Sequence, residues 1–425
     1  MQVPGQPEVR PSSTDVVVLG LATVLGAGAF AVWGPAAAAA GQWLPLAVLL
    51  AAFAAFCTTA SAAELVLAGE RSPSTGVGDL GALDIVRARV PDALGRLGSV
   101  SFLVARTTAA AAVAGVFGSY VLPSAPLPAA IGVLVVATIA NVVGMRWTVR
   151  GTYALVGGTI AILLFVALAA LLMTGPAPVP PAAGLSLDPV TLGWGALGIT
   201  GAAGYVSFAF AGLARAAVVG GSAREPEVTL RRGVLGTLAI GLVVLVLLAV
   251  ALLAGMGPER LAAEMAPLAA VVDAGRAPAL GVLVRVGAAV VALSALLGIM
   301  VGLSRTVVTM ARVGELPGCL AVAGARGTSC RAGLVAGAAS IVVVLVAGQA
   351  AAIAVSACAV LLAYAVLNVA ALRLPATGRR WPRWAPVLGL VLSLVLAASL
   401  PPVQVLVSVV LVAVGWAAAT VRVTP

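Results

Sequence analysis

Apolar runs with few charges, each close to the length a helix needs to cross a bilayer, about 20 residues, recur from one end of this chain to the other. Twelve are read, at 15–41, 44–68, 98–122, 127–145, 152–174, 190–219, 233–255, 278–312, 332–347, 350–372, 385–400 and 402–421. Apolar residues make up 62% of the chain and charged ones 9%, against about half and about a quarter in a soluble domain. An unpaired backbone N–H or C=O in lipid costs several kcal/mol, so segments that cross the membrane singly must be helical. The sequence predicts an all-α polytopic membrane protein. Residues 1–14 are polar, carry three prolines and lack the basic start and short apolar core of a secretory signal. They are expected to form a cytoplasmic tail, with the first span kept in the mature protein.

Orientation follows from the arginines, because the chain has no lysine. With the N-terminus in the cytoplasm, eighteen arginines fall on the inner side and two, Arg260 and Arg276, outside. The positive-inside rule then places both termini in the cytoplasm and the protein in the cell membrane, multi-pass. The net charge of +10 is therefore a topology signal, and arginines dispersed over separate loops do not make a nucleic-acid surface. Four more arginines, Arg106, Arg215, Arg285 and Arg305, lie within spans, where a charge is a functional hypothesis by default. Arg285 and Arg305 lie near span ends, within snorkelling reach of the interface. Arg106 and Arg215 lie deeper, with three roles open: holding a gate, pairing with Glu64, or meeting an anionic substrate.

A membrane-embedded enzyme needs acids, histidines or a metal cluster facing one compartment. The chain has no histidine, its acids are scattered, and Cys57, Cys319, Cys330 and Cys358 lack metal-ligand spacing. No enzyme activity, metal or cofactor is expected. None of the four cysteines is placed for an extracellular disulfide. Leu80, Leu83, Val86 and Val90 recur at helical spacing, which predicts an amphipathic helix on the inner membrane surface with Arg87 and Arg89 toward headgroups. The proline-rich 176–189 reads as an extended outer loop.

Two spans look interrupted. Gly26-Ala27-Gly28-Ala29-Phe30 lies in the middle of the first, and Gly204-Tyr205-Val206-Ser207-Phe208-Ala209-Phe210-Ala211-Gly212 in the sixth. Small residues there read either as close helix packing or as unwound backbone, which is tolerated at membrane depth only where it lines a cavity or is buried in protein. Spans one to five and six to ten form two blocks, and an odd number per block starts the second from the opposite side of the membrane. The two interruptions occupy corresponding positions in inverted repeats, a sequence pointer to the binding site of a secondary transporter.

Leu25-Gly26-Ala27-Gly28-Ala29-Phe30, followed by Gly34-Pro35 and Gly41, resembles the first-helix signature of the amino acid-polyamine-organocation superfamily of permeases. Ala29 departs from its usual Gly-x-Gly-Ile-Phe. Ser304-Arg305-Thr306 with Met310-Ala311-Arg312-Val313-Gly314-Glu315-Leu316-Pro317 resembles the family's end-of-helix-eight motif, and Ser207 to Gly212 with Glu225-Pro226 and Arg231 its helix-six region. The resemblance implies a five-plus-five inverted-repeat core at 15–174 and 190–372, with peripheral helices over 385–421, that carries an amino acid across the membrane by alternating access. Under it, the amides of Ala27, Gly28 and Ala29 accept the substrate carboxylate. Carbonyls of Thr23 and Val24, with those around Ser207, Phe208, Ala209, Phe210 and Gly212, accept its ammonium group. Phe208 and Phe210 read as pocket closers or as plain packing.

Many relatives carry an acid just after helix six, where this chain has Leu213-Ala214-Arg215. A cationic substrate loses its partner there, so a neutral amino acid is expected ahead of a cationic amino acid or polyamine. A transport-inactive sensor or partner subunit is the other reading. Some relatives place a lysine on helix five in the position of a sodium ion; the matching 157–161 has none. Sodium held near Ser294, exchange and facilitated flow remain open, and a proton would leave Glu64 as its carboxylate. Partners are thus the substrate, lipid and sodium or a proton; oligomeric state is not readable.

Overall fold

The computed structural model describes residues 11–69, 86–144, 149–172, 189–223, 225–275, 278–321, 329–375 and 379–420. These residues form helices joined by short turns, nine of them long and apolar enough to cross a membrane. Three shorter apolar helices, Leu197–Phe210, Cys330–Val346 and Trp384–Ala398, fall within the sixth span and in the ninth and eleventh. Every expected span is thus represented by a helix.

Local chemistry starts and stops these helices. Ser12 caps Ser13–Val24, its hydroxyl accepting the Asp15 amide while the Asp15 carboxylate accepts the Ser12 amide, a reciprocal capping box. The other Asp15 oxygen accepts the Tyr153 hydroxyl at 2.7 Å, tying the start of span 1 to the start of span 5. Pro126–Val143 and Pro226–Met256 open on proline, whose missing N–H costs nothing in a first turn. Pro126–Val143 ends at Gly144, which turns left-handed at φ 81.

Spans 1 and 6 are the broken ones. Span 1 runs as Ser13–Val24, then Gly28–Ala31 and Trp33–Ala40; span 6 runs as Pro189–Phe210 and Leu213–Gly221. Around them, span 1 packs on span 7 and span 6 on span 2, span 3 on span 10 and span 8 on span 5. Span 3 also meets span 4 as span 8 meets span 9, and spans 3 and 8 pack on each other. Exchanging the first five spans for the second five maps this set of pairings onto itself. Span 11 lies against spans 2, 6 and 10, and span 12 against spans 3 and 10; span 12 leaves Val403, Leu406 and Val414 exposed, as a lipid-facing helix does.

Two surface expectations are corrected by packing. Leu80 and Leu83 lie outside the described residues, but Val86 and Val90 are buried among Leu65, Leu230 and Ala370 rather than laid on a membrane surface. Arg87 turns into the protein, pairing with Glu315 at 2.5 Å and donating to Ser99 at 3.0 Å. Arg285 does not snorkel alone: both of its terminal guanidinium nitrogens donate to the carboxylate of Asp273, which ends the short helix ahead of span 8, at 3.2 and 2.5 Å. Arg305 is exposed, as snorkelling requires. Residues 173–188, which include most of the expected outer loop, lie outside the described residues.

Candidate functional site

The break in span 1 follows from its residues. Val24 ends the first helix, and the chain resumes at Gly28 through a tight turn in which Ala29 donates to Gly26 and Phe30 to Ala27. The amides of Gly26, Ala27 and Gly28, and the carbonyls of Ala22, Thr23 and Val24, have no backbone hydrogen bond among the described residues. A helix N-terminus and a helix C-terminus therefore face one another across three residues, one presenting N–H groups and the other C=O groups.

One expected donor is corrected. The Ala29 amide is already used within the turn, and its carbonyl accepts the Trp33 indole N–H at 2.6 Å. Gly26 takes its place among the open amides. Sequence composition marks the break, but which amide the turn consumes depends on its tightness.

Span 6 breaks at Ala211-Gly212, and its backbone stays near helical dihedrals, with Gly212 at φ −87 and ψ −8. The Tyr364 hydroxyl of span 10 donates to the Ala211 carbonyl. Tyr364 in turn offers its own carbonyl to the Asn368 side chain, which accepts from Ser61 at 2.7 Å. The two breaks touch at glycines. A Cβ on Gly28 would lie 2.6 Å from the Ala209 Cα, and one on Gly212 would lie 2.3 Å from the Thr23 Cβ. Both readings of these small residues therefore hold at once: they permit close packing, and the packing places the open backbone groups at a cavity.

That cavity has a volume of about 260 Å³. Span 1 contributes Thr23, Gly26, Ala27 and Gly28, and span 6 contributes Phe208, Ala211 and Gly212. Spans 3, 5, 8 and 10 complete the wall with Phe102, Arg106, Thr152, Thr159, Ser294, Gly298 and Ser356 among others. Its residues come from Leu19 to Gly28 of span 1, from the middle of span 3, Phe102 to Val113, and from the start of span 5, Thr152 to Thr159, so on spans 1 and 5 it extends toward the end of the bundle that holds the N-terminus. Beyond the break the bundle is shut: Phe30, Trp33 and Tyr120 are fully buried. The Phe30 and Tyr120 rings meet edge to face at 5.9 Å, and the Tyr120 hydroxyl donates to the Phe30 carbonyl while accepting the Leu268 amide. The short helix Pro267–Asp273 is thereby linked to span 1 through Tyr120 of span 3.

Of the residues singled out by sequence, Thr23, Ala27, Gly28, Phe208, Gly212, Ser294 and Arg106 meet at this cavity. Val24, Ala29, Ser207, Ala209 and Phe210 are buried beside it without lining it; Val24 packs toward Gly241 of span 7, and the Ser207 hydroxyl bonds its own helix at Ala203. Glu64 lies elsewhere. It is 6% exposed and accepts the backbone amides of Arg380 and Trp381 in the segment before span 11. Arg215 falls in Leu213–Gly221, with its side chain outside the described residues. Sequence reasoning missed Tyr364 and Gly298, since nothing local marks a tyrosine or glycine on another span as facing the breaks.

From residue 12 to residue 425 the chain matches the amino acid permease family model. The chain belongs to the amino acid permease family. It is also 37% identical over 421 residues to an uncharacterized transporter of Mycobacterium bovis and to one of Mycobacterium tuberculosis, covering 99% of this chain and 92% of each relative. The Gly26 to Phe30 and Ser304 to Pro317 motifs of this permease thus carry a resemblance that holds along the chain. The second motif has a structural role here: the Ser304 hydroxyl accepts the Asn141 side chain at 2.7 Å, joining spans 4 and 8.

Proposed function

We propose that this permease carries a neutral amino acid across the cell membrane by alternating access, with the substrate seated at the facing breaks of spans 1 and 6. The observation that carries the reading is the cavity at the span 1 break, where open amides and open carbonyls lie within a few residues of each other. A zwitterion presents the complementary pair, a carboxylate for the N–H end and an ammonium group for the C=O end. The volume, about 260 Å³, falls just below the range of about 300 to about 1,000 Å³ typical of sites for drug-sized ligands, which suits a smaller molecule such as an amino acid. No aspartate or glutamate lines the cavity among the described residues, which disfavours a cationic side chain.

The two five-span blocks are read as inverted repeats, and both termini as cytoplasmic. The cavity then opens inward while Phe30, Trp33 and Tyr120 close the outer side. Purified protein is expected to be stabilised by neutral amino acids, by about 2.7 kcal/mol at 100 times the Kd. A thermal-shift screen of the twenty amino acids checks this, and stabilisation by lysine or arginine alone overturns it.

We propose sodium held near Ser294, the hydroxyl of span 8 that shares the cavity with the Thr23 region of span 1, as the coupling ion, with exchange and facilitated flow as the alternative modes. Ser294→Ala is expected to weaken the sodium dependence of uptake while the protein stays folded. Uptake and counterflow in vesicles with and without sodium provide the measurement. Uptake driven by a proton gradient, indifferent to sodium and to this substitution, would remove the assignment and make Glu64 the carboxylate to test.

A further inference from the structure

We propose that residues 86–90, just ahead of span 3, are a strap across the inner end of the bundle, fastened by the Arg87–Glu315 ion pair, that ties spans 2 and 7 to spans 3 and 8 and favours the inward-facing arrangement. This rests on the alternating-access reading above and adds to it a device that biases one of the two states.

The segment offers different chemistry to its two sides. Val86 and Val90 are buried in an apolar cluster with Leu65 of span 2, Ala217 of the second half of span 6, Leu230 and Val234 of span 7, and Ala370 of span 10. Arg87 reaches spans 3 and 8 instead. Its Nε donates to the Ser99 hydroxyl of span 3 at 3.0 Å, and a terminal nitrogen donates to the Glu315 carboxylate at 2.5 Å. Ser99 spends its own proton on the Gly95 carbonyl at 3.0 Å, which leaves its oxygen to accept from the guanidinium. A Cβ on Gly95 would stand 3.1 Å from the Arg87 Cγ, so the glycine admits the arginine stem. Glu315 is fixed at the other end: Gly314 turns left-handed at φ 78 after span 8, and the Glu315 amide returns to the Met310 carbonyl at 2.9 Å.

The Glu315 side chain is 7% exposed and that of Arg87 22%. Parting such a pair leaves a charge uncompensated inside the protein, a far larger penalty than at an exposed ion pair. Spans 1, 2, 6 and 7 pack as one group and spans 3, 4, 8 and 9 as another, and alternating access is a rocking of one such group against the other. A link fastened to both resists that motion. It is made here while the cavity reaches the inner end and Phe30, Trp33 and Tyr120 are buried on the outer side, so it favours this arrangement. A polar cleft of about 220 Å³, lined by Asp92 and Arg96 among others, adjoins the pair. Both ions therefore have room and polar neighbours when they separate, and the strap is made or broken as an interface salt bridge is in a two-state transition.

The test measures how fast a membrane-impermeant thiol reagent modifies a Gly298→Cys reporter in the cavity from each side of vesicles holding the full-length protein, with the exposed Cys319 and Cys330 replaced by alanine. With the strap intact, modification is expected from the inner side. Arg87→Met combined with Glu315→Met removes both charges, so neither is left buried alone. The ratio of outer to inner rates should then rise at least about fivefold, the low end of couplings between two states. Glu315→Gln, which keeps an acceptor for Arg87 without the charge, should give a smaller rise of the same sign and carries the test if the double variant does not fold. A folded variant whose ratio stays at the starting value, whatever its melting temperature, shows the pair to be structural only and overturns the proposal, as does a fall in the ratio. Modification from the outer side alone with the strap intact removes the inward-facing reading itself, and this assignment with it.

Discussion

Gly28→Val is expected to abolish uptake and to lower the melting temperature of the purified protein. A Cβ at this position would stand 2.6 Å from the Ala209 Cα and 3.3 Å from the Ala209 nitrogen, so the atoms in its way are backbone and cannot rotate aside. Spans 1 and 6 would have to separate, and overpacking of this kind costs about 1–3 kcal/mol. Displacement of span 6 accounts for the loss of stability. Gly157→Ala is the control, because nothing lies within 4 Å of its Cβ position; transport and melting temperature should both stay near wild type. Uptake and thermal melting of the two variants check the pair. Wild-type transport by Gly28→Val would show that the contact between the broken helices is dispensable.

Gly298→Leu should block uptake by a different route and leave the fold intact. Gly298 lines the cavity from span 8, and nothing lies within 4 Å of its Cβ position. The Cβ of a leucine there meets no atom, and in a helix interior leucine is favoured over glycine by up to about 1 kcal/mol. The expected signature is a melting temperature equal to or above wild type, with amino acid stabilisation lost and uptake at least about tenfold down, the equivalent of about 1.4 kcal/mol in binding. Contrasting the two glycines separates packing from occupancy: one variant fails with instability, the other without it. Normal substrate affinity in Gly298→Leu would mean that the substrate sits elsewhere.

The span pattern is readable because lipid removes every alternative to a helix for a long apolar segment that crosses alone. Both interruptions are readable for a related reason, since glycine and alanine leave backbone accessible where bulkier residues would cover it. Their chemistry is less so. The sequence points to the Ala29 amide as a substrate ligand, yet the turn back into helix uses that amide on Gly26. Glu64 is visible as a rare acid in a span, and its partners, the amides of Arg380 and Trp381, lie more than 300 residues away. Arg87 has the spacing of a headgroup ligand, and Glu315 claims it instead.

By itself the sequence determined the helical class, the number and order of spans and the two places where they break, because composition and backbone chemistry act over a few residues at a time. The tertiary structure alone decided which side chains meet at the breaks: Arg106 over Phe102, Tyr364 on the Ala211 carbonyl, and Gly298 facing open space. Those contacts depend on how each helix is rotated and where it crosses its neighbours, and rotation and crossing are set by the fit of two surfaces distant in the chain.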